Sequence, residues 1–168
     1  MKRLLRVATI SLAVLCTGAA FAQAQLDLPP GYWEKLRAEK EAWIKENMGL
    51  TPEEEKQFWP LYHEYQKDLG PLNHRLLDAL QMYARHYRKE SLTDALAEKL
   101  LAERLSIDAG QVRLQKAYAK RLSKILPGRK VARYLQLEYR MQIVIRYELA
   151  QAVPLVGDVP PTGAMPPR

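Results

Sequence analysis

The segment TPEEEKQFWPLYHEYQKDLGPLNHRLLDALQMYARHY, residues 51–87, decides the fold of this chain. Its apolar residues recur every three or four positions, at Phe58, Tyr62, Tyr65, Leu69, Leu72, Leu76, Leu80, Tyr83 and Tyr87. Their mean spacing is about 3.6 residues, the repeat of an α-helix. Because the stripe stays in phase across Pro60 and Gly70-Pro71, the pattern predicts one long helix that each proline bends. Two helices divided at Gly70-Pro71 remain the alternative, since proline also ends helices.

The sequence on both sides of this segment predicts three further helices. Good helix formers dominate there, and runs of β-branched residues are absent. The expected helices run from about Tyr32 to Asn47, from the residue after Leu92-Thr93-Asp94 to Leu126, and from about Arg129 to Ala152. Because Pro127-Gly128 makes so short a turn, the last two helices are expected to be antiparallel neighbours. Helices of this length cannot bury their apolar faces in a compact ball. We therefore predict an all-α fold, an elongated antiparallel four-helix array with long, bent helices, completed by dimerisation.

The N-terminal residues carry the pattern of a secretory signal peptide. A basic start, Met1-Lys2-Arg3, precedes an apolar run from Val7 to Cys16 and the small-x-small site Ala20-Phe21-Ala22. The apolar run is too short to span a bilayer. We expect residues 1–22 to be removed by cleavage after Ala22, or a cut after Ala24, and the protein to be exported to the periplasm.

The rest of the chain divides into three parts. Residues 23–31 are expected to form an extended leader, residues 32–153 a helical domain, and residues 154–168 a Pro- and Gly-rich disordered tail. No later stretch approaches the ~20 consecutive apolar residues of a spanning helix. The exported protein is therefore not expected to span a membrane.

A second feature is a stretch with only positive charge. From Ala109 to Leu137 the chain has no Asp or Glu, and its basic residues are Arg113, Lys116, Lys120, Arg121, Lys124, Arg129, Lys130 and Arg133. An exported protein rarely meets nucleic acid, so we expect no nucleic-acid partner. Acidic proteins, anionic lipid headgroups and cell-wall polymers are the partners that such a stretch favours, while a merely solvated helix face is the alternative.

Recognisable catalytic or metal-binding patterns are missing from the sequence. It contains no Gly-rich phosphate loop, no G-x-S-x-G and no H-E-x-x-H. His63 and His74 share a helix face but are ~16 Å apart along the axis, too far to bind one metal ion within a single chain; a site shared across a dimer is the alternative to surface histidines. Glu138 falls on the apolar face of the fourth helix, where an ion pair with a nearby Arg or Lys is favoured over acid–base chemistry. We predict no enzyme activity, no cofactor and no metal site.

The most informative candidate surface combines aromatic and basic side chains. The candidate client-binding residues are Phe58, Trp59, Tyr62, Tyr83, Arg85, Tyr87, Arg88, Lys120, Arg121, Lys124, Arg129 and Lys130. Exposed rings beside positive charge suit loose binding of unfolded, partly apolar chains. The alternative is that the rings are core residues that pack against Trp33 and Trp43.

Two helix starts give the chain a resemblance to a known family. Leu50-Thr51-Pro52-Glu53-Glu54 and Leu92-Thr93-Asp94-Ala95-Leu96 resemble the two L-T-x-x-Q motifs of the Spy/CpxP group of periplasmic proteins. Phe58-Trp59-Pro60-Leu61-Tyr62 and the stretch Leu126 to Tyr134 are similar to envelope proteins placed near that group. The resemblance covers Leu50 to Val156. Both motifs lack the glutamine. Glu54 takes its place in the first motif and can still make the capping bond, whereas Leu96 takes its place in the second and cannot.

The resemblance implies a thin, curved, antiparallel homodimer. Its concave face would hold unfolded or partly folded proteins without ATP, or the protein would damp an envelope sensor protein. A periplasmic metal-sensing module is a second hypothesis, and it requires clustered ligands that the sparse histidines do not offer. A structural envelope protein, bound to lipid or cell wall through the basic stretch, is a third.

Overall fold

The computed structural model describes the backbone of residues 32–157 and the side chains of residues 35–157 apart from 148, 151 and 152. The predicted signal peptide, the predicted leader and residues 158–168 of the predicted tail lie outside the described residues. Within that part the backbone forms four helices and no strand, so the prediction of an all-α fold is confirmed. The helices are α1 (Tyr32–Met48), α2 (Pro52–Arg88), α3 (Asp94–Leu122) and α4 (Gly128–Ala152).

Helix α2 is continuous through both of its prolines. It contains 37 residues and is about 55 Å long. The carbonyls that lose a helical hydrogen bond at these prolines belong to Lys56 and Lys67, which are both exposed residues, so the continuous helix is tolerated. The alternative of two helices divided at Gly70-Pro71 is therefore wrong, while the bend at each proline stays a prediction.

The start of α2 is held by the capping box that its sequence encodes. The hydroxyl of Thr51 accepts a bond from the backbone N–H of Glu54 at 3.3 Å, and the Glu54 carboxylate accepts one from the Thr51 N–H at 2.8 Å. Thr93 caps α3 in the same way through the Leu96 N–H at 3.3 Å. The reciprocal bond is absent at Thr93, because the Leu96 side chain has no acceptor.

Helix α3 ends earlier than the sequence predicts. The predicted end is Leu126, whereas the helix ends at Leu122 and a turn follows. Proline disfavours helical backbone at the residue before it, so Pro127 excludes Leu126 from the helix. The hydroxyl of Ser123 donates to the carbonyl of Ala119 at 2.9 Å and completes the last turn.

A cluster of aromatic rings forms the centre of the core. Phe58 meets Tyr134 edge-on, with ring centroids 5.2 Å apart, and Tyr65 meets Tyr118 in the same manner at 5.3 Å. Edge-to-face pairs of this kind contribute about 0.5–1.5 kcal/mol beyond the area that they bury. Apolar side chains complete the cluster: Ile44, Met48, Tyr62, Leu69, Leu122, Leu126, Val131 and Leu137. All four helices thus contribute to one core.

A buried ion pair lies beside these rings. Glu138 of α4 is 0 % exposed and Lys40 of α1 is 8 % exposed, and the Lys40 ammonium lies 2.7 Å from the Glu138 carboxylate. Glu138 also accepts hydrogen bonds from Gln66 and Tyr134, each at 3.0 Å, and Lys40 donates to Gln66 at 2.9 Å. The predicted ion pair of Glu138 is therefore confirmed, and it joins α1, α2 and α4.

Candidate functional site

The aromatic residues near the start of α2 do not form an exposed surface. Phe58 and Tyr62 are buried, and the ring of Tyr134 from α4 lies against both of them, with centroids at 5.2 and 6.2 Å. Trp59 is half-buried and meets Phe58 edge-on at 5.1 Å. Placing Phe58 and Tyr62 on a client-binding surface was therefore wrong, because their stripe is the core face of α2. Only Trp59 is partly accessible here.

The aromatic and basic residues at the end of α2 remain closer to solvent. Tyr83 and Tyr87 are half-buried and stacked, with ring centroids 6.0 Å apart. The Tyr83 hydroxyl donates to the carbonyl of Pro154 at 2.9 Å, which fixes the chain after α4 against α2. Arg85 and Arg88 are exposed. This end of α2 offers positive charge with partly covered rings.

The basic residues around the turn between α3 and α4 fall into two sets. Lys120, Lys124 and Arg129 are exposed. Arg121 forms an ion pair with Glu64 and lies over the Tyr118 ring, 4.7 Å from its centroid.

The remaining basic residue of the turn, Lys130, is also engaged. It forms an ion pair with Glu54, and the hydrogen bond from Lys130 lowers the pKa of the Glu54 carboxyl. Arg121 and Lys130 therefore connect α3 and α4 to α2, whereas Lys120, Lys124 and Arg129 are exposed.

The structure does not bring all the predicted residues together. The pair Lys130–Glu54 places the basic turn at the start of α2, near Trp59. Arg85 lies 26 positions further along the same helix than Trp59, a distance of about 39 Å along its axis. The predicted residues therefore form two separate groups, one at each end of α2.

An exposed apolar strip on α4 was missed by the sequence analysis. The strip consists of Tyr139, Ile143, Val144 and Tyr147, which are 63 %, 48 %, 52 % and 61 % exposed. Three of them are spaced by four residues and therefore share one side of the helix. The four-residue spacing of these side chains is the sequence signal for the strip. The prediction did not include the strip, because Tyr134 and Met141 on the other side of α4 already form its core face.

A second row of exposed apolar side chains lies on α3. Its members, Leu101, Leu105 and Val112, are each about half exposed or more. The guanidinium of Arg146 joins the two helices at this level, donating to Asp108 at 2.8 Å and to Gln111 at 2.6 Å. These bonds place α3 beside α4 near the level of both exposed apolar sets.

The apolar strip lies within the most basic part of the chain. Residues 109–147 contain one acidic residue, Glu138, which is buried and paired with Lys40. The same residues contain ten basic ones: Arg113, Lys116, Lys120, Arg121, Lys124, Arg129, Lys130, Arg133, Arg140 and Arg146. The stretch that runs from the end of α3 into α4 is therefore strongly positive, while α3 also carries Glu103 and Asp108, which pair with Arg75 and Arg146.

The buried tyrosines near Glu138 have raised pKa values. Burial, and then the nearby Glu138 carboxylate, raise the pKa of Tyr62, Tyr65 and Tyr134. Burial, together with the 2.6 Å hydrogen bond to Asp68, raises the pKa of Tyr118 to about 12. These hydroxyls stay protonated at neutral pH, and two of them donate to carboxylates: Tyr134 to Glu138 at 3.0 Å and Tyr118 to Asp68 at 2.6 Å.

The histidines are dispersed along α2. His63 lies 3.2 Å from the Glu41 carboxylate and stacks on Trp59, while His86 lies 3.0 Å from the Ser91 hydroxyl. His74 is exposed between them. Among the described residues, no group of three or more His, Cys, Asp or Glu side chains could hold a metal ion. The described helices also include none that is long and apolar enough to cross a membrane.

Comparison with known proteins leaves the resemblance to the Spy/CpxP group as a prediction from the motifs quoted above. A scan against protein-family models, a search of curated proteins and a search of solved structures each find no match for this chain.

Proposed function

We propose that this protein is an ATP-independent, chaperone-like protein of the periplasm that binds unfolded or partly folded envelope proteins. Its main support is the exposed apolar strip of α4, which lies in a strongly basic region. In this proposal residues 1–22 are a signal peptide, the helices run antiparallel, and two copies form a homodimer.

The order of contacts between α2 and α3 supports the antiparallel arrangement. Glu64 of α2 pairs with Arg121 near the end of α3. Further along α2, Arg75 forms two hydrogen bonds with Glu103, at 2.7 and 2.9 Å, much nearer the start of α3. As the position along α2 advances, its partner on α3 lies nearer the start of that helix. This order of contacts is expected of two antiparallel helices.

The strip suits weak and reversible binding. Burying one half-exposed side chain of this size contributes about 1 kcal/mol, so four contribute about 4 kcal/mol. That free energy corresponds to a dissociation constant of about 1 mM for one contact. A segment held this loosely is released without ATP. A dimer would present two strips to one long unfolded chain and so raise the overall affinity through avidity.

The charge around the strip favours an acidic client over a second copy of this protein. Two copies facing each other through this surface would bring their basic residues together, and like charges repel. An unfolded chain with apolar and acidic residues would meet complementary chemistry. The exposed residues Lys120, Lys124 and Arg129 would increase its rate of encounter.

Suppression of client aggregation without ATP tests this function. The purified chain from Gln23 onward would be mixed with a chemically unfolded acidic client, and light scattering followed as the ratio is raised. We expect scattering to fall steeply near one dimer per client. No suppression at several-fold excess would overturn the proposal, and pull-down of an envelope sensor protein would then test the regulatory alternative.

A further inference from the structure

The second half of α3 carries a line of basic side chains on its solvent-facing side. The members of this basic line are exposed, and none forms an ion pair within the described part of the chain: Arg113, Lys116, Lys120 and Lys124. With about 3.6 residues per turn, they lie within about 80° of one another around the helix and extend over about 17 Å of its axis. The other exposed residues from 113 to 124 are small, Ala117 and Ser123.

The acidic residues of α3 do not compensate the basic line. Glu103 accepts hydrogen bonds from Arg75 of α2, and Asp108 accepts them from Arg104 and from Arg146 of α4. The other two acidic residues, Asp94 and Glu98, lie in the first two turns of the helix. Even the nearer of them is about 22 Å along the axis from the start of the basic line. The line is therefore left with four unmatched positive charges.

The first half of α3 adds exposed apolar side chains next to this line. Leu101 and Leu105 are each 60 % exposed, and Val112 is 48 % exposed. Together with the basic line they occupy about 140° of the helix circumference. One side of α3 therefore presents both apolar surface and positive charge to solvent.

This combination suits the surface of an anionic lipid bilayer. Phosphate headgroups supply the negative charge that the basic line lacks, and the interfacial region of the bilayer accepts exposed leucine side chains. A soluble linear polyanion would contact the basic line alone and leave Leu101 and Leu105 in water. A second copy of the chain that met this side through the same residues would bring like charges together.

We propose that α3 lies along the surface of an anionic membrane, with the basic line at the phosphate headgroups and Leu101 and Leu105 in the interfacial region. The contact is peripheral and reversible. Each basic side chain near such a surface strengthens binding about fivefold, and salt screens this contribution. The membrane contact goes beyond the proposed chaperone function and does not rest on it.

Co-sedimentation with lipid vesicles tests the contact. The purified chain from Gln23 onward would be mixed at low salt with vesicles of phosphatidylcholine alone, or with vesicles of equal parts phosphatidylcholine and phosphatidylglycerol. We expect binding to the anionic vesicles to be tighter by more than about tenfold, and high salt to remove most of this preference. Equal binding to the two kinds of vesicle, or no binding to either, would overturn the proposal.

Charge variants identify the surface that binds. Arg113→Gln/Lys116→Gln removes two members of the basic line and should weaken binding to the anionic vesicles about 25-fold. The matched control Lys56→Gln/Lys67→Gln, at two exposed positions of α2, should bind like the parent chain. An equal loss in both variants would mean that net charge alone governs binding, and the assignment to α3 would be wrong.

Apolar variants separate a membrane from a soluble polyanion. Leu101→Ser/Leu105→Ser should weaken vesicle binding about tenfold, because less apolar surface enters the bilayer interface. Ala95→Ser/Ala102→Ser, at exposed positions of the same helix, is the control for serine in α3, and circular dichroism checks the helix content of each variant. Unchanged vesicle binding by the leucine variant, together with tight binding of inorganic polyphosphate, would favour a linear polyanion and contradict the membrane contact.

The membrane contact and the chaperone function fail in distinguishable ways. Vesicle binding is measured without a client, and suppression of client aggregation is measured without vesicles. Vesicle binding with no suppression would overturn the chaperone function and leave the membrane contact intact. If Arg113→Gln/Lys116→Gln weakens suppression but leaves vesicle binding unchanged, the basic line serves clients and the membrane contact is wrong.

Discussion

The ammonium of Lys40 lies 2.7 Å from the carboxylate of Glu138, in an ion pair that joins α1 to α4 inside the core. Gln66 bridges the pair from α2, since its amide accepts from Lys40 at 2.9 Å and donates to Glu138 at 3.0 Å. Removing one partner would leave the other charge buried and uncompensated. The pair therefore fixes how α1 and α4 fit together, even though its net contribution to stability is small.

A double-mutant cycle measures this dependence. We expect Glu138→Leu alone, or Lys40→Leu alone, to lower the free energy of unfolding by about 3–5 kcal/mol, and the double variant to lose far less. Urea unfolding followed by circular dichroism gives the values. Lys35→Ala in the exposed pair Lys35–Glu39 is the control and should change stability by less than about 0.5 kcal/mol. Equal losses in the single and double variants would contradict this account.

The apolar strip of α4 should be required for client binding. The variant Tyr139→Ser/Tyr147→Ser removes both exposed rings, and the two lost contacts of about 1 kcal/mol each predict a roughly thirtyfold weaker interaction. Light scattering with an unfolded client measures the loss of suppression. Tyr139→Phe/Tyr147→Phe keeps the apolar rings and should retain suppression. If the Phe and Ser variants behave alike, the strip is not the binding surface.

Exposed basic residues should affect the rate of association more than the final affinity. We expect Lys120→Gln/Lys124→Gln/Arg129→Gln to slow binding of an acidic client several-fold at low salt and to have little effect at high salt. Stopped-flow fluorescence measures the rate. Lys56→Gln/Lys67→Gln, at two exposed positions of α2, is the control. Complete loss of binding to lipid or cell wall in the triple variant would instead support the structural envelope hypothesis.

The buried tyrosines predict a loss of stability in alkali. The pKa of Tyr62, Tyr65 and Tyr134 is raised in the folded protein. The folded protein therefore keeps hydroxyl protons that the unfolded chain releases near pH 10. Their contribution is complete below about pH 10 and is lost above it, at about 1.4 kcal/mol per pH unit for each tyrosine. Urea unfolding between about pH 9 and about pH 11 gives this slope. Tyr65→Phe should reduce the slope by one tyrosine, and an unchanged slope would contradict the prediction.

Two glycines predict opposite effects of the same substitution. A Cβ added at Gly70, inside α2, meets no atom of another helix within 4 Å. Gly70→Ala should therefore raise the free energy of unfolding by up to about 0.5 kcal/mol, because alanine favours helix, while the ring of Pro71 crowds the added Cβ and reduces the gain. Gly49 follows α1 with φ +60°, and Gly49→Ala should cost about 1 kcal/mol. Urea unfolding measures both, and a loss of stability in Gly70→Ala would contradict the prediction.

Most of the helical structure could be predicted because it depends on local signals. The apolar spacing of α2 persists through Pro71, and Thr51 and Glu54 mark its start, so the sequence alone predicted one helix. The end of α3 was placed too late because Ile125 and Leu126 continue the apolar pattern into the turn. Spacing reports which residues share a face, but it does not report where a proline stops the helix.

The candidate surface was harder to predict than the fold. The sequence shows that Phe58 and Tyr62 share a stripe, but only the position of Tyr134 shows that the stripe is covered. The partner of Glu138 was expected to be basic, yet its identity as Lys40 depends on the packing of α1 against α4. Burial is a property of helix packing, and helix packing cannot be read from spacing alone.

The contact between α1 and α4 also has a consequence for the order of folding. Helices α2 and α3 are joined by a short connection, so their hairpin forms from contacts that are close in sequence, and such contacts form quickly. Helix α1 is made before both, yet the buried charge of Lys40 gains its carboxylate partner only when α4 brings Glu138 to it. During synthesis we therefore expect the α2–α3 hairpin to form before α1 has its full set of core contacts. The core is complete only after α4 has been made.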